Sequence, residues 1–557
     1  MKFDSVFDFT VQSIILGAIP TDCMLESPWM KNIAVLVVAL TAGVILSNDT
    51  ASAQTADLAV RGGTIYTGGD ETPFVGDIAV TADKIVYVGS SAGAPAATNN
   101  IAAQGMIVAP GFIDVHTHPE SYVRSSVATE RLNAPWLLQG VTTVFTGVDG
   151  FGEPAVAADH ARLESQKIGT NVASYVGFGA VRELVLGKDA RAPDGPELER
   201  MKQLVAQGMC EGALGLSTGL FYAPQSFAKT DEVVALAKEA ARRGGVYDTH
   251  QRDESSYSIG LMNSVKEVLQ IGREARIPVH FAHLKALGVD LQGQIPEVIR
   301  LIEAARADGL DVTADQYPWL ASSTSLDAAL VPRWAVDGGY PAMIKRFDDP
   351  GAMAKIRLEM IENLRRRGGA ESILLTSVGR AWTGKRLSEM AETWKVEAVD
   401  AAVRILRTNV RDTIASFNMI DSDVDLVMKQ PWVVTGSDGN DGHPRQYATF
   451  SRKYAVYVQE RHVIDLQTFV RRSAGLSADI FKLDHRGYLR PGYFADIAVF
   501  DPERYAPRAD YVHPRELSVG VRTLLVNGAV SVQDGKLTGL AAGRALKHTP
   551  SVGTCPQ

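Results

Sequence analysis

Cysteine is nearly absent from the 557-residue chain, which carries three, at positions 23, 210 and 555. Three thiols do not make a disulfide framework, and none has the spacing of zinc ligands. Cys210 precedes an apolar, strand-like run and is expected in the core, whereas Cys555 sits in a tail. Runs of Lys or Arg are also missing, and the formal net charge is −8. That balance argues against nucleic acid or an anionic membrane surface as the main partner. There is no repeat of fixed period and no long low-complexity tract. Long apolar runs are scarce as well. The one that stands out, IAVLVVALTAGVILS at 33–47, falls short of the roughly 18 residues expected of a membrane-spanning helix.

That run follows Met30-Lys31-Asn32 and ends near Ala51-Ser52-Ala53. A positive start, a short apolar stretch and small residues at the end have the layout of a secretory signal peptide over 30–53, with 1–29 an upstream extension. The expected product is exported, periplasmic or secreted, beginning near Gln54 and without a stable membrane span; an N-terminal membrane anchor is the alternative.

What is present is a large apolar complement, 46% of residues, with 22% charged, enough for two or three soluble domains. From residue 107 short β-rich runs alternate with helical ones. The strand candidates are 107–116, 142–147, 174–179, 213–219, 246–252, 279–286, 311–318 and 432–439. The stretches 231–244 and 295–309 show the 3.6-residue period of amphipathic helices. Eight such units predict an α/β fold, a (β/α)₈ barrel over 107–318 and 432–486. A doubly wound sheet is disfavoured because no Gly-rich phosphate fingerprint follows the first strand. Residues 56–106 and 487–545 alternate apolar and polar with Gly turns, as antiparallel strands do, and are expected to pair into a small β-sandwich. The insertion 319–431, with helical runs such as 352–367, is too long for an ordinary loop and reads as a lid between strands seven and eight.

Active sites of such barrels lie at the C-terminal ends of the strands. There the sequence places His116 and His118, Asp149, His250, His283 and Asp438 in turn. Four imidazoles and two carboxylates on one rim point to a divalent cation. Without thiolate they suit Zn²⁺, one ion or two, with manganese, cobalt or nickel open. Lys285 stands two residues after His283, so both are expected to point inward from strand six. Arg252, Asp253 and Glu254 either reach the ion directly or form a salt-bridged loop, and the loop is the favoured reading. His280, three residues before His283, is expected to point away from the site. His443 lies near the site without an assigned role, and His160, His462, His485, His513 and His548 have no metal-like context.

The strings APGFIDVHTH, GVTTVFTG, GALGLSTGLFYAP, THQRDE, HLKALG, YPWLASST, SDG with HPRQYATF, and RRSAGLSADIFKLDHRGYLRPGYFADIAVFDP resemble the N-acyl-D-amino-acid deacylase (D-aminoacylase) branch of the amidohydrolase superfamily. They run in order from about 56 to 545. The resemblance implies that His116, His118 and Asp438 hold one metal position and His250 and His283 a tighter one. It places a bridging cysteine where this chain has Asp149, and no lysine stands at the strand-four position used elsewhere in the superfamily for a carbamate bridge. Asp149 is then either a harder bridging ligand, the favoured reading, or a sign that this centre differs. The resemblance further implies that Tyr222, Lys285, Tyr317 and Arg445 grip the substrate carboxylate, although the loop from Asp438 to Arg445 looks short. The implied reaction is hydrolysis of small N-acyl-D-amino acids, with Asp438 as general base and then acid. A dipeptidase for D-residue or isopeptide-linked substrates, or another amidase, could use the same centre. A non-catalytic barrel that has lost its metal at Asp149 is the remote alternative.

Overall fold

The break at Pro110-Gly111 divides what reads as one strand into two. A computed structural model describes residues 55–408 and 411–555; the expected leader at 30–53 lies outside them. In it Ile107–Pro110 pairs antiparallel with Ile497–Phe500, while Phe112–Asp114 turns to pair parallel with Val141–Thr146. Gly111 is needed there, because a Cβ would run into the Thr142 side chain.

The parallel strands then follow in sequence order. Phe112–Asp114 (strand one), Val141–Thr146 (two) and Asn171–Ser174 (three) form one arc. Strand three resumes at Val176–Gly177, which starts a second arc through Gly215–Gly219 (four), Val246–His250 (five), Val279–Phe281 (six), Val312–Gln316 (seven) and Val433–Thr435 (eight). Just beyond strand eight, a parallel bridge joins Thr117 to Gly439, and Asp438 N donates to His116 O at 2.7 Å. Helices Gly195–Cys210, Thr230–Arg242, Leu261–Ala275 and Ile295–Ala307 each lie between successive strands and bury their apolar stripe against strands four to seven. The protein is an α/β molecule.

The two flanks share one nine-stranded sheet, in the order 536–537, 529–533, 521–526, 497–500, 107–110, 56–65, 74–81 and 84–89, with 97–102 alongside 56–65. The segment 319–431 has its own apolar cluster and adds to its helices a three-stranded antiparallel sheet, Ala321–Ser325, Thr413–Phe417 and Ile373–Leu375.

The cysteine expectation is corrected. Cys210, at the end of its helix, is bonded to Cys555, with Cα atoms 5.6 Å apart. The tail makes this possible by returning along the parallel strands: Ala545–Leu546 pairs with strand three, and His548 N donates to Gly212 O at 3.0 Å. Spacing could not show a pairing that spans 345 residues of sequence. Among the described residues, no helix is long and apolar enough to cross a membrane.

Candidate metal centre

The C-terminal ends of these strands deliver the donors to one point. His116 Nε2, His250 Nδ1 and His283 Nε2 lie 3.4, 3.8 and 3.8 Å from the same atom, Asp149 Oδ1. His118 Nε2 stands 3.6 Å from Asp149 Oδ2 and 3.4 Å from Asp438 Oδ1. His283 Nε2 is 4.0 Å from Asp438 Oδ2. All are buried except His118, which is partly exposed. The six expected residues therefore meet in overlapping groups: His116, His118 and Asp149; His116, His283 and Asp438; Asp149, His250 and His283.

These residues fit a divalent ion. Asp149 Oδ1 and both ring nitrogens of His116 are buried without hydrogen-bond partners. Two donors on a tetrahedral zinc with bonds of about 2.0–2.1 Å stand about 3.4 Å apart, close to the separations seen. Nitrogen and oxygen donors are those zinc takes.

The backbone is bent to do this. Asp149, His283 and Asp438 have φ of 56°, 34° and 49°. Non-glycine residues in the left-handed region are uncommon and costly, and they collect at functional sites. Gly436 makes room underneath, since a Cβ there would collide with Asp315 Oδ1 and press on His116 Cβ.

A second layer holds the rings. Glu254 Oε1 lies 3.1 Å from His283 Nδ1 and 2.7 Å from Lys285 Nζ, and Lys285 Nζ is 2.7 Å from His283 Nδ1. Asp315 Oδ2 lies 3.9 Å from His116 Nδ1 and 3.2 Å from His280 Nε2. Such partners orient metal-binding imidazoles. Burial disfavours charge on His116, but the carboxylates of Asp149 and Asp315 outweigh it and lift its pKa to about 10. His250, with burial dominant, falls to about 4. Burial also opposes the charged form of Glu254, yet Lys285 and the two imidazoles hold it at about 2.

The four residues expected to grip a carboxylate lie close to the same donors. Arg445 is buried, with Nη1 2.8 Å from Asp438 Oδ2 and its guanidinium carbon 5.0 Å from the Tyr317 ring centre. Lys285 Nζ stands 5.7 Å from that ring. Tyr222 packs 4.9 Å from the His250 ring and accepts a hydrogen bond from Thr324 at 3.4 Å. Burial keeps the Tyr222 and Tyr317 hydroxyls protonated.

Two readings change. Glu254 is a buried member of the site, while its neighbours stay in the loop: Arg252 pairs with Glu267, and Asp253 accepts backbone N–H groups from Ser255, Ser258 and Gly260. His280 reaches Asp315 beneath the site instead of pointing away. The alternation argument fails because strand six ends at Phe281, and His283 and Lys285 lie in the bend beyond it. Asp315, Asp248 and Gly436 were not anticipated. Asp248 and Asp315 share a possible cation-holding group with His116, and burial raises Asp248 to about 6. Their only signal is position: Asp248 stands two residues before His250, and Asp315 two before Tyr317.

Imidazoles and carboxylates converging at the strand ends of an α/β chain make a metal centre, and the family match makes the chain a metal-dependent hydrolase. It belongs to the amidohydrolase family, whose profile matches residues 100–532. It is 31% identical to a D-aminoacylase of Alcaligenes xylosoxydans xylosoxydans over 88% of this chain and 98% of the relative. It is 33% identical to an N-acyl-D-aspartate deacylase of the same organism, over 88% and 94%. A D-aminoacylase crystal structure superposes with a TM-score of 0.75 at 30% identity, covering 88% of this chain and all of the other. The N-acyl-D-glutamate deacylase of Bordetella bronchiseptica, complexed with zinc and a phosphonate inhibitor that mimics the tetrahedral intermediate, gives 0.74 at 29%, covering 89% and 100%.

Proposed function

We propose that the protein deacylates N-acyl-D-amino acids, hydrolysing the amide to a carboxylic acid and a D-amino acid. The convergence of three imidazoles on Asp149 Oδ1, beside Asp438, carries this reading. The D-specific relatives supply the handedness. His116, His118, Asp149, His250, His283 and Asp438 would hold one or two zinc ions. When bound, a divalent ion supplies Lewis acidity and brings the pKa of water to about 7.

The chain's own groups do the rest. Asp438 accepts the proton of the attacking water and passes it to the departing amine nitrogen. Arg445, opposite Asp438 Oδ2, presents a planar fork suited to the substrate carboxylate. Lys285, shared with Glu254, adds a point charge, and the Tyr222 and Tyr317 hydroxyls remain donors. Glu254 and Lys285 both face His283 Nδ1 and hold the ring in place.

The finer architecture belongs to the same reading. The two arcs and the Thr117–Gly439 bridge support a closed (β/α)₈ barrel over 107–318 and 432–486. The flanks 56–106 and 487–545 form the small β-sandwich, and 319–431 the lid. The disulfide supports export, because such bonds persist in oxidising compartments, and the signal-like segment at 30–53 agrees. The test is hydrolysis of paired N-acetyl-D- and N-acetyl-L-amino acids, with and without chelator, with metal content measured alongside. Zinc-dependent turnover of the D member alone is expected; metal-independent turnover, or none, would overturn the proposal.

A further inference from the structure

Beneath the outer donors lies a second polar layer that takes no part in the proposed reaction. Asp248 stands two residues before His250 on strand five, so its side chain faces the same way, about 7 Å deeper along the strand. Asp315 joins it from strand seven. Both carboxylates are fully buried. Asp315 is engaged: Oδ1 accepts from the backbone N–H of His283 at 3.1 Å, and Oδ2 lies 3.2 Å from His280 Nε2. Asp248 is not. Neither of its oxygens receives a hydrogen bond from any described residue. Two further polar atoms share that condition. His116 turns Nε2 toward Asp149 and Asp438 in the outer centre, whereas its Nδ1, 3.9 Å from Asp315 Oδ2, is buried without a partner. The Tyr175 hydroxyl, on the link between the two halves of strand three, is likewise buried and unpartnered, and the charges that act on it are those of Asp248 and Asp315. No cation of the protein answers this layer. Lys453, on which Asp315 acts, holds Thr435 Oγ1 at 2.9 Å, and neither carboxylate pairs with a Lys or Arg among the described residues. Buried carboxylates without a countercharge are costly and need an explanation.

We propose that Asp248, Asp315 and the inner nitrogen of His116, with the Tyr175 hydroxyl beside them, bind a divalent cation of their own, separate from the one or two that the outer donors hold. One donor atom from each of Asp248, Asp315 and His116 lies within 4.8 Å of the other two. Carboxylate oxygens and an imidazole nitrogen suit zinc or manganese, and a doubly charged ion matches two carboxylates. His116 releases its Nδ1 proton to solvent when it ligates, as metal binding requires. The ring then stands between two ions, Nε2 toward the outer one and Nδ1 toward the inner. The inner ion ties strands five and seven to His116 and fixes that ring from behind. It touches no substrate, and the inference does not depend on which amide the protein hydrolyses.

The test is the zinc content of the full-length protein after equilibrium dialysis against buffered zinc, read by elemental analysis. Wild type is expected to carry one equivalent more than D248N, which changes a side chain that no other group of the protein holds. Y175F keeps the ring and takes away only the hydroxyl, and should weaken that same equivalent about 10-fold without changing the others. Melting adds a change of sign. D248N should melt above wild type once zinc is stripped, because it relieves the crowding of Asp248 and Asp315, and below wild type when zinc is restored. Equal zinc content in wild type and D248N overturns the proposal. So does a D248N that melts above wild type in both states, since water or a proton then fills the layer. Loss of every equivalent in D248N overturns it too, by making Asp248 a support of the outer donors. If D248N does not fold, Y175F carries the test, and an unchanged affinity for every equivalent overturns the proposal. Zinc binding and hydrolysis are read separately. A missing extra equivalent leaves the deacylase reading standing, and absent turnover of D substrates leaves the inner site standing.

Discussion

Asp438 carries two duties, ligand and proton carrier, and its neighbours separate them. Its backbone is held left-handed, and Arg445 fixes one oxygen while His118 faces the other. Asp438→Asn should retain metal, because five donors remain, but lose about 10²–10⁴ in kcat; stoichiometric metal with unchanged turnover would remove Asp438 from the chemistry. Glu254→Gln is a softer change. It weakens the acceptor that faces His283 Nδ1, and zinc affinity should fall about 10- to 100-fold, as read by competition with a chromogenic chelator. At this scale the sequence was informative about identities and poor about supports. Histidines and aspartates at strand ends are visible in any single sequence. Glu254 was hidden because a carboxylate in a charged run, RDE, looks the same whether it faces solvent or a buried imidazole.

Elements were legible in the middle and not at their ends. The helices expected at 231–244 and 295–309 appear as Thr230–Arg242 and Ile295–Ala307. Strand one, expected over 107–116, is cut at Gly111, and strand six, expected over 279–286, stops at Phe281. Periodicity reports which face is apolar, whereas strand ends are set by pairing with distant residues. The stretch Arg445–Glu460 behind strand eight carries a testable cost. Lys453 is buried, with Nζ 2.9 Å from Thr435 Oγ1, and burial, with Arg472 adding to it, pulls its pKa from the ordinary 10.5 to about 7. The unfolded chain therefore binds more protons between pH 7 and 10.5, so Lys453 makes stability rise with pH across that window and leaves it at its lowest, and level, below about pH 7. Lys453→Met should melt above wild type at pH 7, with the gap narrowing toward pH 10; a pH-independent gap in calorimetry would count against it. The tail is an element too. Cys555→Ser should lower stability by about 2–4 kcal/mol in denaturant titrations, and reductant should reproduce the effect in wild type but not in the variant.

The whole molecule is tied together by residues far apart in sequence. The metal donors run from His116 to Asp438, and the nine-stranded sheet joins 56–65 to 497–500 through 107–110. An ion bound only by the folded state stabilises it by mass action. Stripping zinc should therefore lower the melting temperature, with a loss of about 4 kcal/mol if the free ion had stood a thousandfold above its dissociation constant. A melting temperature indifferent to metal would mean that the donors hold none. The α/β plan was legible at this scale because eight apolar runs spaced by helices leave few alternatives. The pairing of the two flanks was legible from their shared alternation, but the single nine-stranded sheet they form and the return of the tail were not, since nothing local marks which strand is a partner hundreds of residues away.

That returning tail has a consequence for how the molecule is made. Ribosomes deliver the N-terminus first, at about 5–20 residues per second. Here, though, one of the two strands that flank Asn171–Ser174 is Ala545–Leu546, made long after it. The nascent chain carries that edge unpaired until residues 545–546 have been made. A polypeptide built this way cannot close that edge by its own early-made half, so the sheet there is completed only when both ends of the fold are present.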